Sequence, residues 1–360
     1  MNGKLLAKTT FEEHVMETYR LLGPERMSTI GFFQFMTLMT FRLFSRTTVT
    51  KEDIDVLILE TGIGGRLDFT NALDRPLCTA ITRLDYDHMD LLGSTITSIA
   101  GEKAGITKPG VQMFTSSSQV PEGLVVIRDV CQKLNSPLQL VPPFVDKGDG
   151  SLKVGIGGGA HQFENAALAW AMADYVFRAV KPQGETVPRQ VFEAGLELCR
   201  FPGRAQIEKS AGNGMVFYLD GAHTPYSMEC ASRWLSQTVP GNEKAALVFH
   251  CSPDRDAATM LQLFREMNPE IKLAFFVPPS TGINAGSKTY HDELAALWNT
   301  FGDGRQGVCF RSGPIEFKKH LARLHSEEGL KHVCVTGSFY IVGDALKYWV
   351  DGWNVDEAFS

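Results

Sequence analysis

The chain reads as an α/β protein of two domains, and three observations predict this. The run Val56-Leu57-Ile58-Leu59 is wholly apolar, as expected of a parallel strand buried on both faces, and it leads into the glycine-rich turn Gly62-Ile63-Gly64-Gly65. Beyond residue 203, short apolar runs alternate with helix-length segments, the pattern of a mostly parallel sheet covered on both faces. Between the halves lies Arg200-Phe201-Pro202-Gly203-Arg204, where Pro-Gly breaks the local pattern. The expected domains are therefore 1–202 and 203–360.

The elements follow in order. Phe11, Val15 and Tyr19 recur at helical spacing, which predicts a helix over 10–22; Thr29–Phe44 is a second, more buried one. Strands are expected near 55–60 and 78–82, and Ile99–Ala104 reads as the start of a helix. Gln112–Thr115 and Leu138–Val141 read as strands flanking a helix across Gly123–Leu134. Asp146–Gly159 is polar and rich in glycine, a loop or hairpin. His161–Val180 is a long helix whose Ala166, Ala167, Ala169 and Ala171 permit close packing. In the second half, strands are expected at Val216–Leu219, Ala245–Phe249, Ile271–Val277, Val308–Phe310 and Val333–Thr336. Helices such as Tyr226–Gln237, Ala257–Met267 and Tyr290–Phe301 run between them.

Composition narrows the class. The 360 residues are 44% hydrophobic and 21% charged, the balance of a globular protein large enough for two domains. A net charge of −6 without a basic run argues against a nucleic-acid partner, though not against an anionic small molecule in a locally basic pocket. The apolar segment 29–44 is short for a bilayer and carries Gln34 and Arg42, so no membrane partner is expected; no secretory signal is evident at the N-terminus. Seven scattered cysteines, with no CxxC, read as reduced thiols of an intracellular, cytoplasmic protein and not as a disulfide frame or zinc site.

A few residues carry chemical promise. Glu60 ends the apolar run, where open α/β sheets place ligands. A carboxylate there can hold Mg²⁺ beside phosphates, or simply sit solvated at a turn. His88 follows Asp87 beyond another strand, and Lys103 lies in Glu102-Lys103-Ala104-Gly105-Ile106. Together the segments Leu59–Asn71, Leu84-Asp85-Tyr86-Asp87-His88 and Ile99–Ile106 resemble the signatures of the folylpolyglutamate synthase and dihydrofolate synthase family of the Mur ligase superfamily. The resemblance extends through His161-Gln162-Phe163-Glu164-Asn165-Ala166, Phe201-Pro202-Gly203-Arg204, Asp220-Gly221-Ala222-His223 and Thr336-Gly337-Ser338. It implies a P-loop NTPase-like central domain followed by a Rossmann-like C-terminal ligase domain. It implies that Glu60 binds the catalytic Mg²⁺, that the Asp87-His88 pair supplies a ligand to a second, and that Lys103 is carbamylated by CO₂. By the same resemblance Asn165 bonds the adenine of ATP, Arg204 contacts phosphate, Asp220 the ribose, and His223 lies near the phosphates. Phe249-His250-Cys251-Ser252-Pro253-Asp254-Arg255-Asp256 is similar to an FNxTxDRD segment, with His250 in place of asparagine.

One expected part is absent from these 360 residues: no G-x-x-x-x-G-K-[ST] phosphate loop occurs. Asn2-Gly3-Lys4, Gly155–Gly159 and Gly286-Ser287-Lys288-Thr289 each fail the pattern, so the central domain is expected to be incomplete and N-terminally shortened. The first strand of its sheet is expected to be missing too, exposing Val56 and Ile58. Three functions remain open. The first is an ATP-dependent ligase joining a folate-like carboxylate to L-glutamate. The second is a relative repurposed for ATP-independent small-molecule chemistry in a specialised biosynthetic pathway. The third is a non-catalytic scaffold that uses a sheet edge.

Overall fold

The computed structural model describes residues 5–45, 54–145, 152–181, 185–281 and 289–354. Two compact units divide the chain: Met1–Phe144 with Glu164–Phe192, and Val145–Phe163 with Glu193–Ala358. Asn2-Gly3-Lys4, residues 146–151 of the expected loop and Gly286-Ser287-Lys288 lie outside the described residues.

In the first unit, helix α1 (Lys8–Met27) bends at Gly23, whose φ of 71° precedes Pro24, and α2 (Phe32–Phe44) buries Phe35, Met39 and Leu43. A parallel sheet follows, with strands β1 (Cys78–Ile81), β2 (Gln112–Ser116) and β3 (Leu138–Val141) lying side by side in that order. Helices α3 (Met89–Leu92), α4 (Ile96–Ala104) and α5 (Pro121–Lys133) connect them. Ile81, Met113, Ile96, Ala100, Ala104 and Ile127 form the core on one face. On the other face, Phe114 and Val141 meet Ala167 and Leu168 of α6 (Ala160–Val180), as the run of small residues predicts. Helix α7 (Arg189–Leu198) begins at the end of this unit, where Phe192 packs edge-on against Trp170 at 4.7 Å.

The expected strand over 55–60 is not there. Among the described residues, 54–60 pair with no strand, and Val56, Leu57 and Ile58 are 38%, 37% and 86% exposed. A strand exists through its ladder, and the sheet ends at β1; an apolar run without a neighbour to pair with stays irregular. The exposure of Val56 and Ile58 follows the expectation.

The second unit carries a six-stranded sheet of order β4-β5-β9-β6-β7-β8. Its elements are β4 (Gln206–Lys209), β5 (Val216–Leu219), α8 (Pro225–Thr238), β6 (Lys244–Phe249), α9 (Ala257–Met267), β7 (Leu273–Phe276), α10 (Tyr290–Thr300), β8 (Gln306–Cys309), α11 (Gly313–Glu328), β9 (Leu330–Thr336) and α12 (Phe339–Asp344). All pairs are parallel except β4 with β5. Alternate side chains build two cores. Ala246, Val248, Val333 and Val335 face Phe317 and Trp349, whereas Leu247, Phe249 and Cys334 face Met260, Phe264 and Trp298. Because β9 returns between β5 and β6, the ends of these three strands lie together at a topological switch point, where open α/β sheets bind ligands. All seven cysteines are free thiols. No helix among the described residues is long and apolar enough to cross a membrane.

Candidate functional site

In the first unit the signature turn after Glu60 is pinned to the end of α4. Gly64 has a φ of 69°, and a Cβ there would come within 2.8 Å of Leu92. At Gly65 a Cβ would meet the carbonyl oxygens of Glu102 and Lys103 at 2.9 Å. The Arg66 amide donates to the Glu102 carbonyl at 2.8 Å, satisfying one of the orphan acceptors at the helix end. The Arg66 guanidinium donates to Glu102 Oε1 through Nη2 at 2.8 Å and Nε at 3.3 Å. Asp68 accepts the amides of Gly62 and Ile63 on one oxygen and the amide and hydroxyl of Thr70 on the other.

Glu60 itself is exposed and makes no hydrogen bond or ion pair with another described residue. His88 sits in the left-handed region (φ 49°, ψ 41°) at the start of α3, where Leu91 and Leu92 amides donate to its carbonyl at 2.9 Å. Strain of this kind costs on the order of 1–3 kcal/mol and clusters at functional positions. Asp87 Oδ1 accepts the His88 amide at 2.7 Å and lies 3.7 Å from His88 Nε2. Lys103, in the last turn of α4, is half-buried, and its amine makes no hydrogen bond or ion pair with a described residue. Burial pulls the amine below its ordinary pKa, and the charge of Asp87 opposes that shift. No hydrogen bond or ion pair joins Glu60 to His88 or Lys103.

The donors near Glu60 suit Mg²⁺ better than a metal that needs an all-protein cage. Among the described residues no three of His, Cys, Asp and Glu gather as a cage. Mg²⁺ needs none, because it keeps waters and phosphate oxygens and takes one or two protein carboxylates. The open carboxylate of Glu60 fits that role, whereas Asp68, already accepting four donors, does not. Asn165 lies exposed near the start of α6.

In the second unit Asp220 leaves the end of β5 and holds two loops. Its Oδ2 accepts the Ala205 amide at 2.8 Å and its Oδ1 the Ala222 amide at 2.9 Å, so it fixes the residues next to Arg204 and His223. Burial raises its carboxyl above the ordinary value, while the two amides and the charges of Arg204 and His223 pull it down. The Arg204 guanidinium stacks 4.4 Å from the Phe339 ring centroid. Gly203 and Gly221 make room for that ring: a Cβ at Gly221 would lie 2.8 Å from it. His223 Nδ1 lies 2.7 Å from the Gly221 carbonyl; a carbonyl only accepts, so Nδ1 carries a proton and donates to it. Thr224 caps α8 through the Ser227 amide.

His250, the departure from the family pattern, is wholly buried after β6. Its Nδ1 lies 2.9 Å from Nε2 of buried His291, and its own Nε2 finds no partner among the described residues. Burial, aided by His291, lowers the His250 pKa to about 4. Sequence reasoning gave no role to His291 or Phe339, which serve His250 and Arg204 from distant segments, and singled out Arg66 and Asn71 only as members of the Leu59–Asn71 segment. The glycines at 203 and 221 were the one legible trace of Phe339.

Residues 203–348 match the family model described as the dihydrofolate synthetase C-terminal domain. The chain is 33% identical to the mitochondrial folylpolyglutamate synthase of Bos taurus, over 91% of this chain and 58% of that protein. It is 30% identical to the folylpolyglutamate synthase of Saccharomyces cerevisiae, over 96% of this chain and 68% of that one. It thus spans little more than half the length of the bovine relative. Among solved structures, the Mycobacterium tuberculosis folylpolyglutamate synthase complexed with ADP superposes with a TM-score of 0.70 at 22% identity, covering 92% of this chain and 77% of that one. That likeness establishes the two-domain Mur ligase fold. The chain belongs to the folylpolyglutamate synthase family.

Proposed function

We propose that this chain carries the ligase machinery of its family: ATP-dependent amide formation between a folate-like carboxylate and L-glutamate. The observation that carries the reading is Lys103, a half-buried amine with no hydrogen-bonding partner and a depressed pKa, on a helix end to which the loop carrying the open carboxylate of Glu60 is pinned. A neutral amine is what CO₂ requires. The N–C bond forms, a proton leaves, and a cation becomes a carbamate anion able to face a metal.

In this reading residues 1–202 are the central domain and 203–360 the ligase domain. Glu60 and His88 hold Mg²⁺, and Asp87 orients His88 through its amide. When bound, Mg²⁺ neutralises phosphate charge. Asn165 bonds the adenine of ATP, Arg204 contacts phosphate, His223 lies near the phosphates, and Asp220 reaches the ribose while keeping both loops in place. The γ-phosphoryl group passes to the substrate carboxylate and ADP departs. The glutamate amine then attacks the acyl carbon, and phosphate leaves as the amide forms. A cytoplasmic site, or a mitochondrial one for a longer form, suits these substrates. The family's phosphate loop, a large source of charge stabilisation, is not within these residues, so ligation by this chain alone is expected to be slow.

The test is ADP release by the chain with a folate-type acceptor, glutamate, ATP and Mg²⁺. Release that needs both the acceptor and glutamate, and disappears in Lys103→Ala, supports the reading. Product formed equally well without ATP and Mg²⁺ points to the repurposed, ATP-independent chemistry.

A further inference from the structure

We propose that Arg66, Asp68 and Asn71 are positioning residues. They form a strap that fixes the loop carrying Glu60 against the helix end carrying Lys103, and thereby set the metal site. This inference rests on the metal reading proposed for Glu60. In an ordinary α/β sheet a carboxylate at a strand end is located by the strand's own ladder. Here residues 54–60 have no ladder among the described residues, and side-chain bonds hold the loop that follows Glu60.

The strap does so at both ends. Asp68 closes the loop on itself by accepting Gly62 and Ile63 amides at 3.2 and 3.1 Å, two and three residues from Glu60, and Thr70 at 2.9 and 2.6 Å. Asn71 joins the loop to the helix: its Nδ2 donates to the Arg66 carbonyl and to the Gly105 carbonyl, both at 3.1 Å. Lys108 Nζ donates to the Asn71 carbonyl at 2.9 Å. Gly105 and Gly65 let the backbones touch; a Cβ on Gly105 would lie 2.3 Å from Arg66 Cβ. The Arg66 amide and guanidinium both end on Glu102, the residue before Lys103. The signature glycines, arginine, aspartate and asparagine thus act on one another and on the helix. That leaves the carboxylate of Glu60 uncommitted.

Two substitutions break the strap with little change of shape. Asp68→Asn turns a donor towards donors, because one side of its carboxamide is an NH₂ group. Asn71→Asp sets a carboxylate against two carbonyl oxygens. Arg66→Lys keeps the backbone bond and a charge beside Glu102. Mn²⁺ binding to the 360-residue chain, read by electron paramagnetic resonance, and amide hydrogen exchange together decide the matter. Asp68→Asn and Asn71→Asp are expected to weaken Mn²⁺ binding at least about tenfold, as loss of outer-shell support does. Exchange at Gly62, Ile63, Arg66 and Thr70 is expected to accelerate, with Leu247 and Val248 of the second unit unchanged. Arg66→Lys is expected to retain most of the affinity. Faster loop exchange with unaltered Mn²⁺ affinity overturns the inference, as does unaltered exchange in a folded variant. If wild type takes up no Mn²⁺, the metal reading itself fails; if only the variants match wild type, the strap alone fails.

Discussion

The two units fix their motif loops by different means. In the second, Asp220, His250 and Gly337 leave three adjacent strands of a sheet closed by cores on both faces, so each loop starts from a backbone already held by its ladder. In the first, the described residues form a sheet of three strands, none of which pairs with the segment before Glu60, and side chains hold the loop instead. The glycines reflect this. Gly203, Gly221 and Gly337 make room for Phe339 and His250, whereas Gly64, Gly65 and Gly105 make room for loop against helix. A motif loop can therefore be held without a strand ladder before it, provided its polar side chains are satisfied by one another.

If that contrast holds, disturbance should be felt most in the second unit's cores. Trp298 is fully buried, and its Nε1 donates to the Lys272 carbonyl at 2.9 Å. Trp298→Ala is expected to cost about 3–5 kcal/mol in urea unfolding of the second unit. A loss below about 1 kcal/mol would mean that this core is looser than its burial implies.

A smaller effect tests the strand ends through pH. His250 is neutral in the fold, with a pKa of about 4 against 6.5 for the free side chain. A depressed folded-state value means that stability is fully present above pH 6.5 and is lost as pH falls from 6.5 towards 4. The loss is on the order of 3 kcal/mol at about 1.4 kcal/mol per pKa unit. His291 is the charge that bears on His250, and the neighbouring Cys251–Tyr290 contact at 3.2 Å is not ionised in this range: burial pushes the thiol up to about 11 and raises the phenol. His250→Asn is expected to flatten acid unfolding in this window, as followed by circular dichroism. An unchanged profile would assign the acid sensitivity elsewhere.

Asp220→Ala comes next. It leaves the Ala205 and Ala222 amides without their acceptor, at about 1–3 kcal/mol. It is also expected to abolish MgATP binding measured by calorimetry. Because Asp220 supports the segments of Arg204 and His223, Arg204→Ala is the needed control. Loss of binding there without loss of stability separates nucleotide contact from loop support. The smallest effect is expected at the unpaired segment: Ile58→Ser, at 86% exposure, should shift stability by less than about 0.5 kcal/mol. A larger loss would show that residues 54–60 are covered in solution.

Much of the fold was legible because periodicity carries it. The runs at Val216, Ala245 and Val333 became β5, β6 and β9, and the alanines of α6 did pack on Phe114. The apolar run at Val56 misled for the same reason that the others succeeded, since hydrophobicity marks what wants burial and says nothing of whether a partner strand is present. Helix α7 and the edge strand β4 went unread; neither buries any residue fully, and β4 is an edge strand only four residues long.

The sequence by itself determined the family, the second unit's parallel sheet and the candidate residues, because glycine, proline and apolar spacing act locally or along one face. Tertiary structure alone decided which of those polar groups are already committed. Asp68 and Asp220 are consumed by backbone amides, Arg66 by Glu102 and His250 by His291, while Glu60 stays open and Lys103 is half-buried without a hydrogen-bonding partner. The reason is physical: a carboxylate's availability and an amine's pKa depend on donors, charges and burial brought from distant segments, and spacing along the chain encodes none of these distances.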